Sequence, residues 1–386
     1  MPPPFTPLSG RRIAVMGLGR AGLPAALRLR DWGAQVACWD DSEARRAEAA
    51  AAGLALRNPA EGSFAWDSLL LSPGIPHTLP RPHPAAIAAR AAGAPILCDA
   101  EFLGLALAAA GSRARIVGIT GTNGKSTTTA LLAHMLARAG RRTEAGGNLG
   151  PAALGLELMG DDGVYVLEMS SYMLERIATL RFNVAVMLNL SPDHLDRHGD
   201  MAGYARAKFG IFANQRAEDT AVLGMDDAWT RGMAAGLRAR LLPISGDTPQ
   251  PGGVWAAGTT LRGTQGAILD LREAPALPGT HNAQNAAAAA AAGLALGLSR
   301  EAIADGLRTY PGLAHRQERV EERHGVLYVN DSKATNADSA ARALASYDHV
   351  VWIAGGIAKE GGIESLAPLF PRIARALLIG RDAAAL

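Results

Sequence analysis

Three stretches of the chain repeat one pattern: a short apolar run rich in β-branched residues, then a glycine turn, then apolar residues spaced as on a helix. The pattern begins at residues 12–17 (RIAVMG), 114–120 (ARIVGIT) and 349–354 (HVVWIA). Strands that alternate with helices indicate parallel sheets covered by helices on both faces. Because ligands of such sheets bind beyond the carboxyl ends of the strands, each glycine turn marks a candidate binding edge.

Turn-forming residues divide the chain into three predicted domains. One boundary falls near residue 110, after the alanine-rich helical segment EFLGLALAAAG, and the other at the Pro311-Gly312 turn. We therefore predict an α/β protein with three domains: a Rossmann-like domain over 1–110, a central P-loop ATPase-like domain with a parallel sheet over 111–311, and a Rossmann-like domain over 312–386. The third piece has only about 75 residues, which is short for a doubly wound domain, so we expect it to be incomplete.

Composition excludes several functional classes. A chain with 48% apolar and 19% charged residues is typical of a folded protein. A net charge of +2 provides no basic surface for nucleic acid, and no basic run is dense enough for a membrane surface. The N-terminal segment does not resemble a secretory signal, and no apolar window reaches the length of a membrane span. Two cysteines, Cys38 and Cys98, are more typical of reduced core residues than of a disulfide. We expect a cytoplasmic protein and a monomer, although no pattern in the chain fixes the oligomeric state.

The second glycine turn carries the strongest chemical signal. The loop after the predicted strand reads Gly121-Thr122-Asn123-Gly124-Lys125-Ser126-Thr127. Its glycines allow successive backbone N–H groups to converge on phosphate oxygens, and the following helix adds its positive end. Lys125 can contact the β- and γ-phosphates of ATP, and the Ser126 hydroxyl can bind Mg²⁺. Ile119 stands where the strict phosphate-loop pattern has its first glycine, so a plain strand-to-helix turn capped by Ser126 is the alternative.

The first glycine turn predicts a second ligand site. It contains Gly19, Arg20, Ala21 and Gly22 within a G-x-G-x-x-G pattern, and Asp40 closes the next strand. This pattern fits NAD, FAD or any diphosphate held at a helix end, and a purely structural turn is the alternative. Another turn, with Ser72 and Gly74, follows the strand SLLL and would face the same crevice. Since the loop at 121–127 already accommodates ATP, we interpret this crevice as the site of a diphosphate-bearing substrate.

Polar residues at two further strand ends, and one lysine, are candidates for chemistry. Glu168 ends the predicted strand at 164–169, where its carboxylate can hold Mg²⁺ or a Mg²⁺-bound water; an exposed strand-end glutamate is the alternative. Asp193, His194 and Asp196 follow the predicted strand at 183–190 and suit either a metal or phosphate site or a solvated loop. Lys208 lies on a predicted amphipathic helix, and composition alone predicts a surface lysine there.

Together these residues resemble the Mur ligases, the ATP-dependent amide-forming enzymes of peptidoglycan precursor synthesis. The motifs match in chain order over nearly the whole length: GTNGKST at 121–127, GGN at 146–148, LEMSS around Glu168, DH at 193–194, YxxxK at 204–208, HNxxN at 281–285 and HR at 315–316. The segment NDSKATN at 330–336 looks like the form found in the D-glutamate-adding branch of the family. The resemblance implies UDP-N-acetylmuramoyl-L-alanine and D-glutamate as substrates, joined through an acyl phosphate formed with ATP.

The resemblance also implies roles for the matched residues. It reverses the expectation for Lys208, which would carry a CO₂-derived carbamate and share the second of two Mg²⁺ ions with His194, while Glu168 and Ser126 lie nearer the first. Lys125, Glu168, His194 and Lys208 form the expected catalytic set. The expected ATP-binding residues outside the loop are Asn282, Asn285, Arg316 and Asp331. The expected substrate-binding residues are Gly19, Arg20, Ala21, Gly22, Asp40, Ser72, Gly74, Asn148, Lys333, Thr335 and Lys359.

Two other functions stay open on the sequence. Another Mur-type or folylpolyglutamate-type amide ligase would share the central loop, but the diphosphate turn of the first domain argues against a folylpolyglutamate-type enzyme. A nucleotide-binding protein could have kept the loop and lost the chemistry, since family members continue well beyond residue 386 with a serine-bearing loop and an aromatic residue that help to enclose D-glutamate. The intact Glu168, His194 and Lys208 set argues against that second alternative.

Overall fold

The N-terminal part of the chain forms one five-stranded parallel sheet. The computed structural model describes residues 6–279, 281–334, 337–356 and 362–384, without the side chain of Asp338. The strands, in the spatial order β3-β2-β1-β4-β5, are β1 (Arg12–Met16), β2 (Gln35–Trp39), β3 (Ala55–Leu56), β4 (Ser68–Leu71) and β5 (Ile96–Leu97). The helices are α1 (Gly22–Asp31), α2 (Glu43–Ala51), α3 (Pro84–Ala91) and α4 (Asp99–Ala109). Strand β4 is buried along its whole length, as predicted for a sheet covered on both faces.

The central part forms a nine-stranded sheet in the spatial order β14-β13-β12-β11-β10-β9-β6-β8-β7. Its strands are β6 (Arg115–Thr120), β7 (Thr143–Gly147), β8 (Val164–Glu168), β9 (Val184–Met187), β10 (Thr220–Gly224), β11 (Arg240–Ser245), β12 (Val254–Ala257), β13 (Thr260–Gly263) and β14 (Gly266–Asp270). Strands β13 and β14 pair antiparallel with their neighbours, so the predicted parallel sheet carries an antiparallel extension at this edge. The links between these strands are short turns, whereas parallel neighbours need a crossover of a dozen or more residues.

Helices cover the central sheet, and one of them is built almost entirely from alanine. These helices are α5 (Lys125–Arg138), α6 (Ser171–Leu174), α7 (Leu195–His198), α8 (Met201–Phe209), α9 (Ala228–Met233), α10 (His281–Ala295) and α11 (Arg300–Thr309). The alanines at 286–292 in α10 are fully buried, because their small side chains let the helix approach the strands and α5 closely. None of the described helices combines the length and the apolarity that a membrane span requires.

The C-terminal part contains two small sheets. Strands β15 (Glu318–Arg323) and β16 (Val326–Asn330) form an antiparallel hairpin, which the sequence pattern did not predict. Helix α12 (Ala337–Ala345) follows, and β17 (Val350–Gly355) then pairs in parallel with β18 (Ile373–Ile379). This last parallel pair agrees with the predicted α/β class of the third domain.

Both cysteines lie in the core, as predicted. Cys38 and Cys98 are buried free thiols within the same hydrophobic cluster. Burial disfavours the thiolate, which raises the pKa of Cys38 to about 11 and the pKa of Cys98 to about 12. Neither thiol therefore has the lowered pKa that reactive cysteines show.

Candidate active site

A cavity of about 790 Å³ lies at the carboxyl ends of β1, β2 and β4. Most of the predicted substrate-binding residues line it together, namely Gly19, Arg20, Ala21, Asp40, Ser72, Gly74 and Asn148. Gly22 does not line this cavity: a Cβ atom there would overlap the carbonyl of Gly17, so Gly22 allows close packing at the start of α1. The structure thus brings two separate glycine turns and the distant Asn148 to one crevice.

Asp40 organises the first glycine turn. Its Oδ2 accepts a hydrogen bond from the Leu18 backbone N–H at 2.6 Å, and its Oδ1 accepts one from the Ser42 backbone N–H at 2.9 Å. Arg45 Nη1 lies 3.3 Å from the same carboxylate. Burial alone would raise the pKa of Asp40, but the bonds from Leu18 and Ser42 and the Arg45 charge lower it. The ionised carboxylate therefore fixes the loop in addition to facing the cavity.

The loop at 121–127 presents an uncapped helix N-terminus. Helix α5 begins at Lys125, and its N-cap is Gly124, in the left-handed region with a φ of 84°, with no side chain bonded to the cap. The alternative interpretation, a turn capped by Ser126, is therefore wrong. A Cβ atom at position 124 would collide with Oδ1 of Asn285, so only glycine fits. An open helix N-terminus with free N–H groups is a ready site for phosphate.

Two lysine side chains lie against this loop. Nζ of Lys125 donates to the carbonyl oxygens of Gly121 and Thr122 at 3.0 and 2.7 Å. Nζ of Lys208 donates to the carbonyl oxygen of Gly121 at 2.7 Å and to Oγ1 of Thr120 at 3.2 Å. Lys208 is only 2% exposed, so the composition-based expectation of a surface lysine is wrong. Burial, with repulsion from Lys125 as the next cause, holds the pKa of Lys208 well below its ordinary value. Burial also lowers the pKa of Lys125.

Glu168 is a buried carboxylate with one unpartnered oxygen. It ends β8 at 1% exposure, beside Ile119 of the neighbouring β6. Its Oε1 accepts a hydrogen bond from Nδ2 of Asn148 at 2.7 Å, whereas Oε2 is buried and has no hydrogen-bond partner among the described residues. The alternative interpretation, an exposed strand-end glutamate, is wrong. A buried carboxylate oxygen without a donor is costly unless a cation or a donor completes it.

His194 and Asp193 lie close enough to the two lysines for their charges to interact. His194 precedes α7 in the left-handed region, and its Nε2 lies 3.3 Å from Oδ2 of Asp193. Its ring packs 5.1 Å from the ring of Tyr172, measured between centroids. Burial lowers the pKa of His194; the Asp193 charge opposes this effect, and the Lys208 and Lys125 charges add to it. A neutral imidazole is the form that binds metal ions. Asp196 is exposed.

A second cavity, of about 70 Å³, is lined in part by the loop. Predicted ATP-binding and substrate residues meet there, namely Asn123, Gly124, Thr127, Asn282, Asn285, Arg316, Asp331 and Lys333. Nδ2 of Asn285 donates to Oδ1 of Asn282 at 2.9 Å, so these two amides orient each other. Burial raises the pKa of Asp331, whose Oδ1 accepts a hydrogen bond from the Gln317 backbone N–H at 3.0 Å. The predicted residues Thr335 and Lys359 lie outside the described residues.

Two amide side chains that the sequence did not single out hold the loop. Oδ1 of Asn189 accepts from the Asn123 backbone N–H at 2.9 Å, and its carbonyl oxygen accepts from the Thr122 backbone N–H at 2.8 Å. Nδ2 of Asn189 donates to Oε1 of Gln284 at 2.7 Å, and Nε2 of Gln284 donates to Oδ2 of Asp226 at 2.6 Å. Asn189 follows β9, the neighbour of β6, so its polar side chain at a strand end was a signal that could have identified it.

Among the described residues, no three His, Cys, Asp or Glu side chains converge in an arrangement that could hold a metal ion. The predicted magnesium ligands are a different kind of set, because Ser126 would contribute a hydroxyl and Lys208 a carbamate. Oxygen ligands of this kind are what Mg²⁺ prefers, and it normally retains several waters as well. The unpartnered Oε2 of Glu168 is consistent with a cation at this position.

Comparison with known proteins gives close relatives. The family model "Mur ligase middle domain" matches residues 119–293. The chain is 51% identical over 377 residues to UDP-N-acetylmuramoylalanine–D-glutamate ligase of Paramagnetospirillum magneticum, with 97% of this chain and 82% of that protein covered. Proteins of the same name from Caulobacter vibrioides and Rhizobium meliloti are 49% and 46% identical, and each match covers 98% of this chain and 83% of the relative.

Solved structures show the same fold at lower identity. UDP-N-acetylmuramate–alanine ligase of Thermotoga maritima aligns with a TM-score of 0.60 at 19% identity, covering 97% of this chain and 87% of that chain. The UDP-N-acetylmuramoylalanyl-D-glutamyl-2,6-diaminopimelate–D-alanyl-D-alanyl ligase of Acinetobacter baumannii aligns with a TM-score of 0.58 at 22% identity, covering 75% of this chain and 69% of that chain. These matches confirm the predicted α/β architecture.

Proposed function

The chain belongs to the Mur ligase family, and we propose that it joins D-glutamate to the terminal carboxylate of UDP-N-acetylmuramoyl-L-alanine with the conversion of ATP to ADP and phosphate. This is an amide-forming step of peptidoglycan precursor synthesis, and relatives with 46–51% identity carry the corresponding name. One observation in the geometry carries the proposal. The phosphate loop lines the smaller cavity through Asn123 and Gly124, and Glu168 is hydrogen-bonded to Asn148, which lines the larger cavity.

The larger cavity suits the UDP-linked substrate. Its volume of about 790 Å³ falls in the range of ligand sites for molecules of this size. We assign the diphosphate to the turn of Gly19, Arg20 and Ala21, where the start of α1 and a guanidinium favour anions. Nη2 of Arg20 lies 3.4 Å from the Asn148 carbonyl oxygen, which connects this turn to the catalytic centre. The muramoyl-alanine end of the substrate would then extend past Asn148 towards Glu168.

We assign ATP to the loop and to the residues that line the smaller cavity. Backbone N–H groups at the start of α5 and Nζ of Lys125 would hold the β- and γ-phosphates, and Asn282, Asn285, Arg316 and Asp331 would surround the rest of the nucleotide. Lys125 donates to two carbonyl oxygens of its own loop. Phosphate oxygens would replace these neutral acceptors with charged ones, which form the stronger hydrogen bonds.

The residues around Glu168 fit magnesium. Glu168 and Ser126 would hold one ion, and His194 together with a carbamate on Lys208 would hold a second. Bound magnesium would neutralise phosphate charge and orient the phosphoryl group. The proposed carbamate forms when the neutral Lys208 amine attacks CO₂, which creates an N–C bond and releases one proton. Burial of Lys208 supports this step, because it lowers the pKa of the amine and so favours its neutral, nucleophilic form.

The reaction then needs positioning more than acid–base chemistry. The L-alanine carboxylate attacks the γ-phosphorus, an O–P bond forms, and ADP leaves with the electrons of the broken bond. Loop N–H groups and Lys125 would stabilise the charge on the phosphoryl oxygens. The D-glutamate amine next attacks the acyl carbon, phosphate leaves, and the nitrogen loses a proton. Lys333 lines the ATP cavity, and we propose that it contacts phosphate or D-glutamate. Since ATP and UDP-linked precursors are cytoplasmic metabolites, we propose the cytoplasm as the site of action.

Amino-acid-dependent release of ADP tests the proposal. Purified full-length protein is incubated with ATP, Mg²⁺ and UDP-N-acetylmuramoyl-L-alanine, and ADP is measured with D-glutamate, L-glutamate, L-alanine or a diamino acid. We expect turnover only with D-glutamate, and none when UDP-N-acetylmuramate replaces the acceptor. Turnover with a folate acceptor, or nucleotide binding without turnover under any of these conditions, would contradict the proposed reaction.

A further inference from the structure

Arg176 is a buried arginine that connects the central part of the chain to a loop of the first sheet. It is 1% exposed. Its Nη1 donates to the carbonyl oxygens of Leu71 and Ser72 at 2.8 and 3.0 Å, and its Nη2 donates to the carbonyl oxygen of Ile75 at 2.6 Å. Its Nε lies 3.3 Å from Nδ1 of His77. One guanidinium thus contacts four residues within a span of seven.

The loop that Arg176 holds forms one wall of the UDP-substrate cavity. Ser72, Pro73, Gly74 and Ile75 all line that cavity. Ser72 also donates its hydroxyl to the Gly17 carbonyl oxygen at 2.8 Å, so the loop is bonded directly to the first glycine turn. Any movement of these residues would change the wall of the cavity and the position of the turn together.

The segment that carries Arg176 borders the same cavity. Met173, at the end of α6, lines it, and the Arg176 backbone N–H donates to the Met173 carbonyl oxygen at 2.9 Å. The backbone of Arg176 is fixed as well, since its carbonyl oxygen accepts a hydrogen bond from the Cys98 backbone N–H at 3.1 Å. Arg176 therefore lies behind the loop, on a backbone that is bonded at both its N–H and its C=O group.

The folding stability of the protein does not explain why an arginine is buried at position 176. Within the described part of the chain no carboxylate lies within ion-pair distance of Arg176, and a buried cation without a carboxylate partner is costly. The neighbouring Glu175 contacts His198 and His77 instead. Its Oε1 lies 3.2 Å from Nδ1 of His198, and its Oε2 lies 4.0 Å from Nε2 of His77. What the planar guanidinium provides is fixed geometry, because its donors point in set directions and here serve several carbonyl oxygens at once.

We propose that Arg176 is a positioning residue for the UDP-linked substrate: it holds the Ser72–Ile75 loop in the conformation that binds this substrate, without contacting ATP. The inference rests on the proposed function, since it names the ligand of the cavity that the loop lines. It predicts a selective defect. Loss of the guanidinium weakens binding of UDP-N-acetylmuramoyl-L-alanine and leaves the ATP cavity, which shares no lining residue with the UDP-substrate cavity, unchanged.

Calorimetric titration of Arg176→Met and Arg176→Lys, each in the full chain, tests this inference. UDP-N-acetylmuramoyl-L-alanine and ATP with Mg²⁺ are titrated separately into the same preparations. Arg176→Met removes the side-chain donor from three carbonyl oxygens, of which that of Ser72 keeps the Ile75 backbone N–H, and we expect its Kd for the UDP-linked substrate to rise about tenfold or more. Arg176→Lys keeps the charge but not the fork of donors, so we expect a smaller rise. For both variants we expect the Kd for ATP to stay within about twofold of the wild-type value.

Arg181→Gln is the matched control. Arg181 lies in the same segment, but its guanidinium bonds to Asp219 and Glu218, at 2.7 Å each, and not to the substrate loop. This variant should lower the unfolding temperature without changing the Kd for the UDP-linked substrate. An unchanged Kd in Arg176→Met, or equal weakening of both ligands, would overturn the inference. If Arg176→Met does not fold, Arg176→Lys provides the test. Its Kd for the UDP-linked substrate should rise more than its Kd for ATP, and an equal change in the two would overturn the inference. Failure of the wild-type protein to bind the UDP-linked substrate would instead contradict the proposed function.

Discussion

Lys125 and Lys208 donate hydrogen bonds to the same acceptor, the carbonyl oxygen of Gly121, at 3.0 and 2.7 Å. Burial lowers the pKa of each lysine, and for Lys208 repulsion from the nearby Lys125 charge is the next cause. A carbamate on Lys208 would replace the second positive charge with a negative one and turn this repulsion into attraction. The triphosphate of ATP would supply the anion that Lys125 lacks. On this proposal, Lys125 remains a cation that binds phosphate, whereas Lys208 becomes an anion that binds magnesium.

The carbamate predicts chemical rescue. Lys208→Ala should abolish turnover, because the proposed second magnesium ion loses a ligand, and a short carboxylate such as acetate or formate should restore part of the activity by occupying the vacated space. ADP release with increasing acetate measures this effect. Acetamide has nearly the same shape without the charge and should not rescue. Acetate should also fail to rescue Lys125→Ala, since that lysine acts as a cation. Wild-type turnover in Lys208→Ala without any additive would exclude the carbamate.

Lys125 itself should be required for phosphoryl transfer. Lys125→Ala removes the cation that we assign to the β- and γ-phosphates, and we expect a loss of roughly a hundredfold to a thousandfold in the rate of phosphate release. Arg138→Ala, on the same helix, is the control, because in the described part of the chain Arg138 pairs with the half-exposed Asp305 at 2.9 Å. Its rate should equal that of the wild-type protein. Near-normal phosphate release by Lys125→Ala would refute the assignment of the loop.

The positions of the strands were predictable from sequence because β-branched runs and glycine turns are local signals. Residues at the ends of neighbouring strands could also be grouped in advance, as with Glu168 at the end of β8 beside β6. The burial of Lys208 could not be predicted from composition, because it depends on how α8 packs against the loop at 121–127. The contacts of Arg176 join residues about a hundred positions apart, and no spacing along the chain indicates them.

Glu168 should control the requirement for magnesium. Glu168→Gln keeps the shape and the acceptor for Asn148 but removes the charge, so the Mg²⁺ concentration that gives half-maximal turnover should rise about tenfold or more. Without metal, the variant should unfold at a temperature equal to or higher than that of the wild-type protein, because a buried carboxylate oxygen without a partner has been replaced. Turnover titrated with Mg²⁺ and thermal unfolding with a chelator measure the two effects. An unchanged magnesium requirement would remove Glu168 from the metal site.

Protonation of His77 should lower the free energy of unfolding at acidic pH. Burial, with the Arg176 charge as the next cause, lowers the pKa of His77 from 6.5 to about 4, so the folded state keeps the imidazole neutral while the unfolded state accepts a proton at higher pH. Between pH 6.5 and about 4 the unfolded state therefore binds more protons, and the free energy of unfolding falls as the pH falls. Within that window, His77 alone changes the free energy of unfolding by at most about 1.4 kcal/mol per pH unit. Above the window, its full contribution to stability is present.

The variant His77→Asn separates this effect from other groups that titrate in acid. Its amide oxygen can accept a hydrogen bond from Arg176 as Nδ1 of His77 does, but it has no proton to gain. Urea unfolding at several values between pH 7 and pH 4.5 should give a flatter dependence for the variant than for the wild-type protein. His281, whose pKa burial also lowers to about 4, is present in both proteins and cancels in the difference. Parallel curves would mean that His77 is protonated equally in the folded and unfolded states, and that burial and the Arg176 charge do not keep it neutral.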